Sequence, residues 1–188
     1  MENPAKTKPM KKSTLFLTRA AIIAALYAAL TYAASVVGLA YGPIQFRFSE
    51  ALTVLACFTP AAVPGLTVGC FLGNLGSSLG PIDWVVGTAA TLLAALCTYF
   101  TRKIGGRLAC LWAPLFSTVF NAVLVGLEIA FFVPDGGGWA AFGTLALEVG
   151  VGELAVCCLL GIPLYFLINR NEGLKNVLTS KQGGEKNH

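Results

Sequence analysis

Long stretches without a charged side chain constrain the fold of this chain more than any other feature. Four such stretches occur, bounded by Arg19 and Arg47, by Glu50 and Asp83, by Asp83 and Arg102, and by Arg107 and Glu128. A helix needs about 20 apolar residues to cross a hydrocarbon core of about 30 Å. We therefore expect an all-α integral membrane protein that crosses the bilayer several times.

The composition agrees with this expectation and excludes several other classes of protein. Hydrophobic residues make up 56% of the 188 residues and charged residues only 12%, whereas soluble domains carry roughly 25% charged residues. A soluble enzyme and a disordered chain are therefore excluded. The net charge of +4 does not indicate nucleic-acid binding, because the basic residues lie at the two ends and in one loop rather than along a surface.

Six membrane spans are predicted from the apolar segments. One continuous helix over residues 46–79 would be too long for a single span, and Pro60 and Pro64 interrupt it. We therefore divide this stretch into two short spans. The predicted spans cover approximately residues 15–39, 46–59, 63–79, 83–100, 109–132 and 139–167.

The distribution of basic residues supports six spans. With six, 12 of the 13 Lys and Arg side chains lie on one side of the membrane and only Arg47 lies on the other. With five spans, 5 of the basic side chains would lie on one side of the membrane and 8 on the other. Because basic residues accumulate on the cytoplasmic side, both ends are predicted to be cytoplasmic.

Three regions follow from this topology. They are a basic N-terminal segment (1–13), a six-helix membrane domain (14–170) and a polar C-terminal tail (171–188), with both flanking regions in the cytoplasm. The first apolar run is too long for the core of a cleaved signal peptide, so we interpret it as an uncleaved span.

The sequence contains no pattern typical of catalysis, metal binding or ATP binding. The six cysteines show no C-x-x-C spacing and His188 is the only histidine, so we expect buried thiols rather than a metal site. No G-x-x-x-x-G-K-[ST] motif occurs. We expect a protein that is not an enzyme and that binds no cofactor of its own.

Ionisable side chains within spans are costly and usually functional, and here nearly all of them are acidic. In the six-span topology a group of polar residues from different helices falls in the outer half of the membrane, like a cup open to the outside. Its predicted members are Glu50, Asn74, Asp83, Glu128 and Glu148, with Asn121 near the middle of the membrane, Arg47 as the one nearby base and Trp84 at the outer edge.

An acidic cup of this kind favours a ligand with an ammonium group or several N–H donors, because carboxylates accept hydrogen bonds and balance cations. Trp84 could stack on a planar ring. Structural interpretations stay open for several members. Asp83 is suited to cap the helix that it begins, Arg47 to extend towards the membrane interface, and Asn121 to join helices. Glu153, deeper in the membrane, is interpreted as a buried tie between helices.

Several motifs together resemble the QueT family, substrate-binding (S) components of energy-coupling factor (ECF) transporters. The resemblance covers about residues 14–170 and is most specific between Arg47 and Leu92. The matching motifs are FRFSEALT (46–53), FTPAAVPG (58–65), GTAATL (87–92), GEL (152–154) and GIPL (161–164), together with Gly69-Cys70, Asn74 and Asp83.

The resemblance implies a six-helix S component that captures a queuosine precursor, a 7-deazaguanine base such as 7-aminomethyl-7-deazaguanine. It also implies three partner subunits: a transmembrane T component and two cytoplasmic ATPases, which use the ATP. An alanine-spaced first helix would contact the T component, and Ala20, Ala24 and Ala28 match that spacing.

On this basis we expect Glu50, Glu128 and Glu148 to bind the N–H edge and the cation of the ligand. Asn74 or Asn121 would read the ring carbonyl. Two alternatives remain: an S component for another small vitamin, and a self-sufficient, proton-coupled carrier of small cations.

Overall fold

The computed structural model describes residues 11–40, 45–104 and 110–179, and every regular element in these ranges is helical. Seven α-helices are described, α1 to α7 in chain order. A 3₁₀ helix, here called the central 3₁₀ helix, lies between α1 and α2, and a π-helical turn joins α5 to α6. The bounds are α1 Lys12–Val36, central 3₁₀ helix Phe48–Cys57, α2 Ala62–Asn74, α3 Pro81–Ile104, a 3₁₀ turn Cys110–Trp112, α4 Ala113–Phe132, α5 Gly138–Val156, π-turn Cys157–Gly161, α6 Ile162–Arg170 and α7 Glu172–Thr179.

Four segments among the described residues are long and apolar enough to cross a membrane. They are α1, α3, α4 and the continuous run from α5 through α6, and they correspond to the predicted first, fourth, fifth and sixth spans. The central 3₁₀ helix and α2 correspond to the predicted second and third spans and are shorter. Helix α2 ends at Asn74 rather than near residue 79.

The contacts between elements show that successive segments alternate in direction. Helices α1 and α2 run parallel, because Gly65 lies against Ala20 and Gly73 against Thr31. A chain that enters two consecutive helices in the same direction must return between them. The central 3₁₀ helix provides this return, since its Ser49 bonds to Thr31 at 2.8 Å.

The remaining segments continue the alternation. Helix α3 runs parallel to the central 3₁₀ helix, because Asp83 pairs with Arg47 and Arg102 donates to the carbonyl of Phe58. Helix α4 runs antiparallel to α3, because Thr91 and Ser117 bond to the same Glu50 carboxylate while Glu128 is within electrostatic range of Asp83. Helix α4 also runs antiparallel to α5, because Gly126 lies against Ala146 and Gly150 against Ala122. Each of the six segments therefore runs opposite to the one before it.

The central 3₁₀ helix is enclosed by the rest of the bundle. Every residue from Ser49 to Cys57 is buried, although 3₁₀ helices longer than a few residues are uncommon. At about 2.0 Å per residue its ten residues span about 20 Å. The sequence predicted an ordinary span here. The difference arises because i to i+3 bonding gives a helix that is narrower and rises further per residue than an α-helix. Such a helix suits a segment that is surrounded by neighbouring helices.

A column of glycines lets α1 and α2 approach closely. A Cβ atom at Gly69 would lie 2.7 Å from the Tyr27 Cβ and 2.8 Å from the Ala24 carbonyl oxygen. Ala20 and Ala24, expected from the sequence to contact a partner subunit, are thus buried inside this chain against α2, and Ala28 is half-buried. The outward stripe of α1 consists of Ala21, Ala25, Ala29 and Ala33, all exposed.

The two predicted flanking regions are described only in part. Of the N-terminal segment 1–13, residues 1–10 lie outside the described ranges, and α1 begins at Lys12. Of the tail 171–188, residues 180–188 lie outside them, and residues 172–179 form α7.

The glycine column generates a stability prediction. We expect Gly69→Ala to lower the free energy of unfolding by roughly 1–3 kcal/mol, because the added methyl group overlaps α1. Gly143→Ala on α5 is the matched control, since a Cβ there meets nothing within 4 Å and both variants gain the same helix preference. Thermal unfolding in detergent measures both, and equal midpoints would contradict the proposed packing constraint.

Candidate functional site

The Glu50 carboxylate is the centre of a buried hydrogen-bond network. Oε1 accepts bonds from the Tyr27 hydroxyl and from Thr91 Oγ1 at 2.7 Å. Oε2 accepts bonds from Thr53 Oγ1 at 3.1 Å and Ser117 Oγ at 2.7 Å. These hydroxyls come from α1, the central 3₁₀ helix, α3 and α4. Glu50 therefore joins four segments, and both of its oxygens are occupied by protein donors.

An ion pair lies one helical turn before Glu50, at the start of the central 3₁₀ helix. Arg47 Nη2 is 3.3 Å from Asp83 Oδ1, and both side chains are almost completely buried. Asp83 occupies the first turn of α3, as the helix-cap interpretation expected, but its carboxylate pairs with Arg47. Gly87, one turn along α3, provides the space: a Cβ there would lie 3.2 Å from Arg47 Nη1 and 2.8 Å from Asp83 Oδ1.

The two predicted asparagines are buried, and each side-chain amide nitrogen is bound to the backbone. Asn74 Nδ2 donates to the Asp83 carbonyl at 3.0 Å, and Asn121 Nδ2 donates to the Ser117 carbonyl at 3.1 Å. Their Oδ1 atoms have no hydrogen-bond partner among the described residues. Both asparagines thus present acceptors, because a carbonyl partner requires the nitrogen to face it.

Two further carboxylates are buried with all four oxygens unpartnered among the described residues. They belong to Glu128 on α4 and Glu153 on α5, which are 1% and 0% exposed. Glu128 lies within electrostatic range of Asp83 and Arg47, and Glu153 within range of Glu50 and Arg47. Since a buried unpaired carboxylate is costly, these oxygens mark a place where a donor-rich group would be stabilised.

Together these side chains form what we call the polar cluster. Its members are Arg47, Glu50, Asn74, Asp83, Asn121, Glu128 and Glu153, all buried. Within the described ranges it combines four carboxyl groups with one guanidinium. The local balance is acidic, and a cation or a ligand with several N–H groups would offset it.

Six of the eight predicted substrate-binding residues belong to this cluster, and two do not. Glu148 on α5 is half-buried. Trp84 is also half-buried, and its ring packs edge-on against that of Phe71, with 6.4 Å between the two ring centroids. The Trp84 Nε1 atom is buried and has no hydrogen-bond partner among the described residues.

Sequence reasoning did not assign Glu153, Tyr27, Thr91 or Ser117 to the site. Glu153 was recognised as a membrane-depth acid and interpreted as a tie between helices, but its oxygens bond to none of the described residues. Hydroxyl residues are common in membrane helices, so Tyr27 and Ser117 carried no specific signal, and Thr91 was marked only by its place in the GTAATL motif.

A small cavity of about 10 Å³ lies beyond Glu50. Glu50 and Thr53 provide its polar wall, and Ala113, Cys157 and Gly161 are among its other lining residues. The volume is about that of one water molecule.

Comparison with known proteins agrees with this architecture. The model of the QueT transporter family matches residues 17–170. The queuosine precursor transporter QueT of Lactococcus lactis subsp. cremoris (strain MG1363) is 40% identical over 85 residues, which cover 45% of this chain and 50% of the relative. The chain thus matches about half the length of that relative. No solved structure gives a significant match.

The four membrane-length helices and the extent of the family match lead to one conclusion. This is a multi-pass protein of the bacterial plasma membrane, and the chain belongs to the QueT transporter family.

Proposed function

We propose that this chain is the substrate-binding subunit of an ECF-type importer and captures a queuosine precursor from outside the cell. The ligand is a 7-deazaguanine base, such as 7-aminomethyl-7-deazaguanine. The polar cluster binds it, and a separate T component with two ATPase subunits drives transport. The name of the Lactococcus relative supports the substrate class.

The observation that carries the proposal is the set of buried acceptors. Glu128, Glu153, Asn74 and Asn121 together present six oxygens without partners among the described residues. A 7-deazaguanine offers a matching edge of adjacent N–H groups, and the aminomethyl form adds an ammonium. Each carboxylate–ammonium or carboxylate–N–H contact is a charge-assisted hydrogen bond, which is the stronger kind.

We further propose six membrane crossings with both ends in the cytoplasm. The alternating directions of the six segments support this arrangement, as does the excess of basic residues on one predicted side. It places Asn74, Asp83 and Glu128 near the outer ends of α2, α3 and α4. The loop around Asp135, between α4 and α5, then lies outside.

Direct binding tests the substrate. The purified chain in detergent is titrated with 7-aminomethyl-7-deazaguanine, 7-cyano-7-deazaguanine and guanine, by calorimetry or tryptophan fluorescence. We expect the aminomethyl form to bind most tightly, because its cation meets an acidic cluster. Failure of the folded protein to bind either deazaguanine would overturn the proposed function.

Glu128→Gln tests the contribution of one carboxylate to that binding. We expect affinity for the aminomethyl form to fall about tenfold or more, since a hydrogen bond to a charged group contributes about 1.5–3 kcal/mol. Glu172→Gln on α7, where the side chain is exposed, is the control and should bind like the unchanged protein. An unaffected Glu128→Gln affinity would remove Glu128 from the site.

Cysteine labelling tests the topology. In a variant whose native cysteines are replaced by alanine, Asp135→Cys should react with a membrane-impermeant maleimide in intact cells. Glu172→Cys should react only after the membrane is opened, because α7 follows the sixth crossing. Labelling of both positions in intact cells would place them on the same side of the membrane and contradict the single crossing proposed between them.

The contact with the T component is proposed for the outward stripe of α1. Small residues spaced by four let a partner helix approach closely, and Ala21, Ala25 and Ala29 are exposed whereas Ala20 and Ala24 pack against α2. We expect Ala25→Trp to abolish co-purification with a co-expressed T component while ligand binding persists. Val123→Trp, exposed on α4, is the control, and retention of the complex by Ala25→Trp would place the contact elsewhere.

A further inference from the structure

Hydrogen-bond donors and acceptors are unevenly distributed in the polar cluster. The acceptors without partners are numerous, but each asparagine amide nitrogen, with its two N–H groups, already has two acceptors within the protein. Asn74 Nδ2 donates to the Asp83 carbonyl at 3.0 Å and to Cys70 Sγ at 3.5 Å. Asn121 Nδ2 donates to the carbonyl and the Oγ of Ser117 at 3.1 and 3.4 Å. Neither asparagine can therefore donate to a ligand without breaking a bond within the protein. The ring carbonyl of a 7-deazaguanine must find its donor elsewhere.

Arg47 is the side chain with donors to spare. Its Nη2 faces Asp83, whereas Nε and Nη1 are buried without a partner among the described residues. The side chain is 1% exposed, so these N–H groups do not face bulk solvent. The guanidinium also lies within electrostatic range of Glu153, which places it among the acceptors that would bind the N–H edge of the same ligand.

Two other side chains near this region carry unpartnered donors and fit the role less well. Trp84 and Thr88 are only half-buried, and the Trp84 ring packs against Phe71. On α3 the inward positions are Asp83, Gly87 and Thr91, all buried. Trp84 and Thr88 each lie one residue, or about 100° of helical rotation, away from Asp83 and Gly87.

We propose, building on the proposed function, that Arg47 donates from Nη1 to the ring carbonyl of the ligand and thereby selects 6-oxo over 6-amino heterocycles. Asp83 holds the guanidinium from its other side. Gly87 leaves room beside Nη1, where a Cβ would lie 3.2 Å away.

The selectivity follows from what a buried guanidinium cannot do. It has only donors and no acceptor, so an amino group in place of the carbonyl would face it donor to donor. A site that hydrogen-bonds one group of its ligand strongly rejects analogues without that group, because the buried polar partner in the protein is then left unpaired.

A series of three ligands tests this in the full-length protein in detergent. The probes are 7-deazaguanine, 7-deaza-6-thioguanine and 7-deaza-2,6-diaminopurine. The thio compound keeps the ring N–H and changes only the acceptor, from oxygen to weakly accepting sulfur. We expect it to bind at least about fivefold more weakly than the oxo compound, and the diamino compound about 100-fold more weakly.

Variants identify the donor. Arg47→Lys keeps a positive charge beside Asp83 but lacks the second terminal nitrogen that Nη1 provides, and the double variant Arg47→Gln/Asp83→Asn removes the ion pair as a unit. In both, the oxo-to-thio affinity ratio should fall towards 1. Trp84→Phe and Thr88→Val remove the competing donors and should leave the ratio unchanged.

The outcomes separate this inference from the proposed function. Equal binding of the oxo and thio compounds by the unchanged protein overturns the role of Arg47 but leaves the substrate class standing, and this result depends on no variant. Collapse of the ratio in Trp84→Phe or Thr88→Val transfers the role to that residue and also overturns it. If folded protein binds none of the three probes but binds 7-aminomethyl-7-deazaguanine, the cation rather than the ring carbonyl carries recognition and the inference is overturned alone. If it binds none of these four compounds, nor the 7-cyano form, the proposed function fails together with the inference.

Discussion

The burial of the Glu50 carboxylate is the interaction on which the rest of the structure depends. A carboxylate inside an apolar bundle is costly unless its oxygens are satisfied, and four hydroxyl groups from four segments satisfy both oxygens of Glu50. The hydroxyls of Tyr27, Thr91 and Ser117 fix α1, α3 and α4 relative to the central 3₁₀ helix. The network therefore sets the position of Arg47, one turn away, and with it the position of the ion pair to Asp83.

Close packing of α1 and α2 determines where the polar cluster lies. Gly65, Gly69 and Gly73 face α1 at distances that exclude any side chain. With that face of α2 occupied, Cys70 and Asn74 turn towards α3, where they meet Thr91 and Asp83. The glycine column thus packs the helices tightly and orients the adjacent polar residues into the cluster.

The candidate site could be predicted from the sequence as a set of residues but not as a set of free atoms. Glu50, Asp83, Asn74 and Glu128 stood out because ionisable and amide groups are rare at membrane depth. Glu50 and Glu128 looked equivalent in the sequence, yet four hydroxyls occupy one while no described residue bonds to the other. A hydrogen bond between segments 23 to 67 residues apart leaves no local pattern, so which acceptors remain free could not be deduced.

The sequence by itself determined the membrane class, the number and approximate limits of the apolar segments, and the acidic character of the polar residues. These properties depend on composition and on the length needed to cross a bilayer, which are local and additive along the chain. Tertiary structure decided that the second segment is a 3₁₀ helix and that Ala20 and Ala24 face inward. It also decided that Arg47, rather than an asparagine, has N–H groups to spare. Each of these depends on which helix occupies which face of its neighbour, and only the packing of distant segments settles that.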